Sequence, residues 1–524
     1  MKAVLLPWLA GALLKLAAYP AYHSTDFDVH ANWLRITSTQ PRSQWYWDAQ
    51  SPWTLDYPPL FAWFERALAL CWPPAELMAD PSGFTLDGVL WQRTTVVASE
   101  FVFLGGAVAL FASSWPEKTS YEVEQSQSKV ALATALVALD PNLFVVDHVH
   151  FQYNGFLLGV LVLGMWLLRI DRPFTAAAVF AILFCLKHIF LYMAPLLGVY
   201  YLRRYCVRSP VNVVWFGCVV GSVVAASLAS VCNSAECVVQ VGKRLFPVGE
   251  RGLLHAYWAP NFWALYAGAD VVLKQALHAS APVVAVSPAS GLVAGAVGFS
   301  VLPTVAPWVT LVVTLGAMTP LLVEVWRTPR PPVVVHAVAS AVLCSFLFGY
   351  HVHEKALVMA SVPLALVAVD SAADAKAYLM LCWITNVALA PLLFPASLSP
   401  LKAVLLLLHA SWATAQLDEF HRSQRSQARV RFTGLSFGLV DRAYLTGLAL
   451  VFAAYHVGPG VLDAVGRGAL LRRYPFVPLL VVSVYCALGV ALCFADAHAL
   501  LRLKCRKIEV GSFAVKIASC AREN

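Results

Sequence analysis

Asp26, at the start of a predicted helix, is the residue of this sequence best suited to acid–base chemistry. Residues 24–30 read Ser-Thr-Asp-Phe-Asp-Val-His. Thr25 fits the N-cap of a helix, and Asp28, three residues later, fits the returning carboxylate of a capping box. Asp26 would then occupy the first helical position, where the helix dipole keeps a carboxylate ionised. An ionised, fixed carboxylate can act as a general base toward a hydroxyl, although acidic residues at helix starts are also common structural features.

Two clusters of basic residues could stabilise an anion such as a phosphate group. Residues 351–355 read His-Val-His-Glu-Lys, so three potential cations lie beside one carboxylate, and such a set can stabilise a leaving phosphate. Lys243, Arg244, Arg251 and His255 form the second cluster. The simpler alternatives are side chains that extend to the membrane surface and solvated loops. Zinc is a weaker option, because the spacing supplies no good third and fourth ligand, and we expect no metal and no cofactor.

An aromatic segment that ends in two prolines follows the predicted base. Tryptophan and tyrosine recur through residues 44–57, and Pro58 and Pro59 precede an apolar run. Proline suits the first turn of a helix, so we predict a helix over 60–72 with Asp56 as its cap. Its aromatic residues predict an amphipathic helix in the membrane interface. This helix would anchor the chain in the membrane, wall a cleft, or do both.

The rest of the chain must hold these segments at a membrane. Of the 524 residues, 60% are hydrophobic and 13% are charged, whereas a soluble chain is about a quarter charged. Apolar runs recur along the whole length, and a helix needs roughly 20 apolar residues to cross a bilayer. The sequence therefore predicts an all-α polytopic membrane protein, with about fourteen transmembrane helices in a single domain over residues 1–524. The runs near 155 and 173 are short, and we expect them to be buried or re-entrant.

The distribution of charge predicts which helix ends share a side of the bilayer. The net charge of +8 is spread over short loops, which fits the cytoplasmic excess of Lys and Arg rather than a nucleic-acid-binding patch. With an uncleaved first helix at 3–19 and a cytoplasmic N-terminus, the arginine clusters face the cytoplasm. The first long loop, 20–93, and the segments above lie on the opposite side. Cys232 and Cys237 lie there too, as a disulfide or as two free thiols.

Eight segments together resemble one family of membrane glycosyltransferases. They lie at 22–27, 32–34, 43–46, 53–59, 147–155, 187–188, 255–263 and 349–355. The two richest read Asp-His-Val-His-Phe-Gln-Tyr-Asn-Gly from 147 and Gly-Tyr-His-Val-His-Glu-Lys from 349. The sequence resembles the dolichyl-phosphate-glucose-dependent α-1,3-glucosyltransferases of asparagine-linked glycosylation, in the GT-C architecture. The likeness covers residues 22–355, and within the family it is closest to the enzyme that adds the second glucose.

The resemblance implies an enzyme of the endoplasmic reticulum membrane whose active site is luminal. It would transfer glucose, with inversion, from dolichyl phosphate glucose to the monoglucosylated nine-mannose oligosaccharide on dolichyl diphosphate. In this family the carboxylate matching Asp26 is the base, and the histidine matching His353 lies by the donor phosphate. A phosphodiester is already a fair leaving group, so one base and cationic stabilisation of the phosphate suffice. Ala31 stands where relatives tend to carry arginine. If that arginine holds the acceptor or the base in the relatives, this chain compensates for it elsewhere.

These matches define the candidate site. Asp26 is the catalytic candidate. The donor-phosphate candidates are Arg251, His351, His353 and Lys355. The other substrate-binding candidates are Asp28, Asp56, Tyr57, His150, Lys187, His188, His255 and Trp258. Two alternatives stay open. One is the sister enzyme that adds the first glucose, and the other is a transporter, which would place ionisable residues at mid-membrane and carry internal repeats.

Overall fold

A computed structural model describes residues 2–20, 22–71, 73, 77, 85–114, 120–247, 251–255, 258–277, 299–393, 395–427, 435–473 and 475–523. In these ranges the chain forms helices, turns and extended segments, with no strand among them. The first helices are α1 Lys2–Ala17, α2 Thr25–Thr39, α3 Pro59–Ala69, α4 Leu86–Ser113, α5 Ser120–Ala138, α6 Asn154–Arg169, α7 Pro173–Leu186, α8 Ala194–Tyr201, α9 Val211–Ala229 and α10 Ala235–Leu245. They are followed by α11 Phe262–Ala276, α12 Pro307–Arg327, α13 Val334–Phe348, α14 Val358–Val367, α15 Ala372–Leu389, α16 Ser399–Gln427, α17 Leu439–Ala464, α18 Ala469–Arg473 and α19 Val477–Glu523.

The described helices agree with a polytopic membrane protein. Nine of them are long and apolar enough to cross a membrane, and α6 and α7 are shorter apolar helices. The predicted all-α membrane fold is confirmed, whereas the number of about fourteen transmembrane helices is not confirmed. α1 coincides with the predicted first helix. α6 is buried along nearly its whole length, as predicted for the short run near residue 155.

Packing divides the chain into two compact units. The first contains Met1–Leu191, Pro210–Gly249 and Leu392–Leu398, and the second contains Tyr192–Ser209, Glu250–Pro391 and Ser399–Asn524. The single domain predicted for residues 1–524 stays a prediction, because a division by packing does not test whether the units fold independently.

In the first unit, α6 lies unusually close to α4. A Cβ atom on Gly159 would lie 2.4 Å from the carbonyl carbon of Phe103, so only glycine permits this approach. A buried ionic cluster joins the neighbouring elements: the Glu100 carboxylate of α4 accepts a hydrogen bond from Lys15 of α1 and lies 2.5 Å from Nε2 of His148. Three separate segments of the chain are therefore fixed to one another at Glu100.

A π-helical segment, Phe144–Phe151, follows α5 and ends just before α6. Phe151 has φ +86°, a conformation that is strained for a residue with a side chain. The backbone carbonyl of His148 in this segment accepts a hydrogen bond from Arg93 of α4, which also donates to the carbonyl of Tyr22 over 3.0 Å. The buried guanidinium thus holds the start of the first long loop against the π-helical segment.

The structure corrects the predicted caps of α2 and α3. The N-cap of α2 is Ser24 rather than Thr25, and its hydroxyl accepts the backbone N–H of Asp26 over 3.1 Å. Asp26 is therefore the second helical residue, and Asp28 closes no capping box. The N-cap of α3 is Pro58, which offers no side-chain cap, so the capping role predicted for Asp56 is wrong. α3 ends at Ala69, and residue 72, the predicted end, lies outside the described residues.

The aromatic face of α3 packs against other helices of the first unit. Trp63 donates its indole N–H to the hydroxyl of Ser230 over 2.8 Å, and Phe64 stacks on Phe156 of α6 with ring centroids 4.5 Å apart. After Ser230 the chain forms a disulfide between Cys232 and Cys237, one of the two alternatives that the sequence left open. Cys237 lies in the first turn of α10, and Cys232 precedes that helix.

The second unit is built on α13 and α15, which are buried along nearly their whole length. The His-Val-His-Glu-Lys segment follows α13, and its last two residues begin a 3₁₀ turn at Glu354–Leu357. Asn261 caps α11, since its side-chain oxygen accepts the backbone N–H of Trp263 over 3.1 Å. Trp263 donates its indole N–H to the carbonyl of Phe348, the last residue of α13, over 3.0 Å. These bonds fix the start of α11 beside the histidine-rich segment.

Candidate active site

Asp26 lies in a polar cluster at the start of α2. Its Oδ2 atom accepts a hydrogen bond from the amide of Gln152 over 2.6 Å and lies 3.3 Å from Nε2 of His150. Its side chain keeps 24% of its surface exposed, so a second molecule can reach the carboxylate. The Ser24 hydroxyl that caps α2 donates to the carbonyl of His150 over 2.5 Å. The Ser24 cap and the Asp26 carboxylate therefore both contact residues at the end of the π-helical segment or just after it.

Asp28 lies on the same helix in a different environment. Its Oδ1 atom is buried and accepts no hydrogen bond from the described residues. Because of this burial, the pKa of Asp28 rises from 3.8 to about 6. The Asp28 carboxylate is therefore charged at neutral pH only at a cost to folding.

Lys187, Tyr57 and His188 are also placed in the first unit. The ammonium of Lys187 lies 4.9 Å from the ring centroid of Tyr57 and donates to the side-chain oxygen of Asn154 over 3.1 Å. The ring of His188 lies edge-on to Phe246 at 5.3 Å. Asp56 lies in the extended segment before α3, where its negative charge adds to burial in raising the pKa of Tyr46 well above its ordinary value.

Three histidines and a glutamate meet in the second unit. The rings of His255 and His353 have centroids 3.7 Å apart, and the ring of His351 lies 5.6 Å from that of His255. Nδ1 of His255 lies 3.5 Å from a carboxylate oxygen of Glu354, which is only 1% exposed. His351 has φ +50° and donates from Nδ1 to the carbonyl of Gly252 over 2.8 Å. We call His255, His351, His353 and Glu354 the histidine cluster.

The charge of this region differs from the prediction of three cations in residues 351–355. Burial lowers the pKa of His353 well below its ordinary value, and it lowers that of His351 to about 4, so both imidazoles are neutral at pH 7. The positive charges of Arg251 and Lys355 lower the pKa of His353 further. Burial alone would raise the pKa of Glu354, but its contact with His255 and the charge of Lys355 lower it.

The histidine cluster also corrects the argument about metal ligands. One potential ligand atom from each of His255, His353 and Glu354 lies within 4.8 Å of the others. His255 is the third ligand that the local spacing lacked. Two imidazoles and a carboxylate are an open three-ligand set of the kind that binds zinc, so the absence of a metal stays a prediction.

Trp258 contacts the histidine cluster through its backbone. It has φ +48° and donates its backbone N–H to the carbonyl of His255 over 2.9 Å. Its ring packs on the apolar core formed by Leu253, Leu254 and Trp263. Ala256 and Tyr257, between these residues in the matched segment, lie outside the described residues.

Comparison with known proteins identifies the family. Residues 11–497 match the ALG6, ALG8 glycosyltransferase family. The chain belongs to this family. It is 37% identical over 498 residues to an Arabidopsis thaliana protein named dolichyl pyrophosphate Glc1Man9GlcNAc2 alpha-1,3-glucosyltransferase, covering 91% of this chain and 93% of the relative. The Mus musculus protein of the same name is 37% identical over 514 residues, covering 94% of each chain.

A further relative extends the comparison to insects. The Drosophila melanogaster protein, named as a probable dolichyl pyrophosphate Glc1Man9GlcNAc2 alpha-1,3-glucosyltransferase, is 38% identical over 500 residues, covering 94% of this chain and 92% of the relative. The predicted glycosyltransferase family and the GT-C membrane architecture are therefore confirmed.

The structure of this glycosyltransferase sorts the predicted residues into two groups. The first unit brings Asp26 together with His150, and Lys187 together with Tyr57. The second unit brings together the histidine cluster, Arg251, Lys355 and Trp258.

Sequence reasoning missed the two amides beside Asp26. Gln152 and Asn154 lie inside the segment that carried the resemblance, but amide side chains there gave no sign of which partner they would bond. It also missed Glu65, which lies 2.7 Å from Nδ1 of His30 in a buried pair. The break between the two helical segments that places these amides has no signature in the sequence.

We predict that Asp28→Asn stabilises the protein at pH 7.5. A shift from 3.8 to about 6 would be worth about 3 kcal/mol for a fully buried group, and partial exposure reduces this to about 1 kcal/mol. Because the folded-state pKa is raised, the penalty is present above about pH 6 and disappears as the pH falls toward the unfolded value. Thermal unfolding in detergent should therefore show a higher midpoint for Asp28→Asn at pH 7.5 and equal midpoints near pH 4. A lower midpoint for the variant at pH 7.5 would instead indicate that Asp28 stabilises the start of α2, as the sequence predicted.

Proposed function

We propose that this chain transfers glucose from dolichyl phosphate glucose to the dolichyl-diphosphate oligosaccharide that carries nine mannoses and one glucose. The new bond is an α-1,3 linkage, and the product carries the second glucose. One observation carries the proposal: a partly exposed carboxylate, Asp26, is held at a helix start by Gln152 and His150. The name of the full-length relatives specifies the Glc1Man9GlcNAc2 acceptor.

Asp26 is the general base of this reaction. It accepts the proton of the acceptor hydroxyl as the hydroxyl oxygen bonds to the anomeric carbon of glucose and the bond from that carbon to the phosphate oxygen breaks. The electron pair of the broken bond leaves with dolichyl phosphate. Attack opposite the leaving group inverts the anomeric carbon, and one carboxylate suffices because the phosphate needs no acid to depart.

The donor phosphate is held by the histidine cluster with Arg251 and Lys355. Arg251 and Lys355 carry the positive charge, because His351 and His353 are neutral at pH 7. A neutral imidazole still offers one N–H to a phosphate oxygen, and the bound anion would raise the pKa of both imidazoles. This arrangement can stabilise the charge that develops on the leaving phosphate.

The reaction takes place on the luminal side of the endoplasmic reticulum membrane. The arginine clusters predicted to be cytoplasmic follow the positive-inside rule. The disulfide between Cys232 and Cys237 supports an oxidising compartment on the opposite side. Asp56 and Tyr57 contribute to binding the acceptor in this proposal.

The acceptor is tested by incubating purified protein with radiolabelled dolichyl phosphate glucose and two acceptors, one with a single glucose and one without glucose. We expect label in the monoglucosylated acceptor, in the presence of a chelator, because Arg251 and Lys355 can meet the phosphate charge. Preferential labelling of the glucose-free acceptor would show the sister activity instead. Loss of activity in the chelator, with rescue by zinc or manganese, would assign a metal to His255, His353 and Glu354.

We predict that His353→Ala weakens the use of the donor more than that of the acceptor. The variant removes an N–H donor from the phosphate site, so KM for dolichyl phosphate glucose should rise about tenfold, as expected for a lost hydrogen bond to a charged group. KM for the oligosaccharide should stay near its normal value. Steady-state kinetics with each substrate varied in turn measures both.

The matched control is His498→Ala, which removes a histidine of α19 that is not part of the site. It should leave both KM values unchanged. An unaltered donor KM in the His353 variant would return His353 to a structural role.

A further inference from the structure

The first unit contains a chain of hydrogen bonds that runs from Lys187 to Asp26. We propose that Lys187, Asn154 and Gln152 form a relay that orients the Asp26 carboxylate as a general base, with Gln152 as the positioning residue. The inference rests on the proposed function, because it assigns the device that prepares the same carboxylate.

The relay is continuous from the ammonium to the carboxylate. Nζ of Lys187 donates to Oδ1 of Asn154 over 3.1 Å. Nδ2 of Asn154 donates to Oε1 of Gln152 over 2.8 Å, and Nε2 of Gln152 donates to Oδ2 of Asp26 over 2.6 Å. Each amide thus accepts on its oxygen and donates from its nitrogen.

The two ends fix the direction of the relay. An ammonium can only donate and an ionised carboxylate can only accept. Lys187 therefore requires the oxygen of Asn154 to face it, so the nitrogen of Asn154 faces Gln152, and the nitrogen of Gln152 faces Asp26. Asp147 reinforces this direction, since its Oδ1 accepts from the same Asn154 nitrogen over 2.8 Å. Neither amide can rotate by half a turn without losing a bond at each end.

The backbone is shaped to present Gln152 to Asp26. The π-helical segment ends at Phe151 with φ +86°, and Gln152 is extended at φ −158°. α6 then begins at Asn154, and its first turn is held by Asp147, whose Oδ2 accepts the backbone N–H of Gly155 over 2.6 Å. Strained conformations of this kind cluster at functional sites. Here the break turns Gln152 out of both helices and toward α2.

The relay lets Gln152 act on both the charge and the orientation of Asp26. A hydrogen bond donated to the charged form of a carboxylate favours that form, and it also fixes the rotation of the side chain. A base held in this way needs little reorganisation when the acceptor hydroxyl arrives. The polarisation of Asn154 and Gln152 by Lys187 strengthens the last bond of the chain.

The main test is Gln152→Glu, which keeps the size of the side chain and the bond from Asn154 but turns an oxygen toward Asp26. We expect kcat to fall about 10- to 100-fold, the effect of losing a hydrogen bond to a charged group, while both KM values stay near normal. Gln152→Leu, which removes the donor without adding charge, should also lower kcat.

The matched controls are Gln240→Glu and Gln240→Leu. Gln240 likewise donates from its side-chain amide, to the backbone carbonyl of Tyr46 over 3.1 Å, in the same unit. These variants should keep a normal kcat. A merely structural role for Gln152 would appear as lower folded yield or a changed KM with kcat preserved, and that result would overturn the proposal.

Lys187→Met tests the relay at its far end, where a change cannot touch Asp26 directly. Lys187→Met alone should lower kcat severalfold, and combined with Gln152→Glu it should add no further loss, because both act through one chain. Losses that multiply would overturn the relay. If the unaltered protein transfers glucose while Gln152→Glu retains normal kcat, the relay fails and the proposed function stands. Absence of transfer by the unaltered protein overturns both.

Discussion

The hydroxyl of Ser24 connects the two parts of the chain that create the site around Asp26. It accepts the backbone N–H of Asp26 and so begins α2, and it donates to the carbonyl of His150 in the π-helical segment. The backbone N–H of Ser24 donates to the same carbonyl over 3.1 Å. Two hydrogen bonds to one carbonyl oxygen thus join a helix start to a strained segment more than a hundred residues later. Asp26, His150 and Gln152 are neighbours as a consequence.

The charge of the histidine cluster is set by the cost of burying charged imidazoles. Burying a charged imidazole is costly unless an anion accompanies it, and the pKa values of His351 and His353 fall accordingly. The region therefore keeps two cations, Arg251 and Lys355, beside neutral rings rather than a dense positive charge. Such a site can bind a single negative charge, and its cations do not repel each other strongly when no anion is bound.

The sequence allowed the membrane class, the family and the main carboxylate to be predicted, because hydropathy and short motifs are local properties. The predicted N-cap of α2 is one residue too late, because Ser24 and Thr25 are both good caps. Only the hydrogen bond from Ser24 to the carbonyl of His150 distinguishes them. The π-helical segment was not predicted, since its extra residue per turn has no sequence signature. The contact between His255 and His353 could not be predicted, because it depends on tertiary packing between residues that are far apart in the sequence. The number of transmembrane helices stays a prediction, because an apolar run does not reveal whether it spans a bilayer.

The central claim, that Asp26 is the base, is tested most directly by single-turnover transfer with Asp26→Asn. Asparagine keeps the size of the side chain and can still approach Gln152 and His150, but it cannot accept a proton. Expression and binding of the lipid-linked acceptor should survive, and transfer should fall about 10² to 10⁴-fold. Near-normal turnover by a well-folded Asp26→Asn protein would contradict the account and require another group to take the proton.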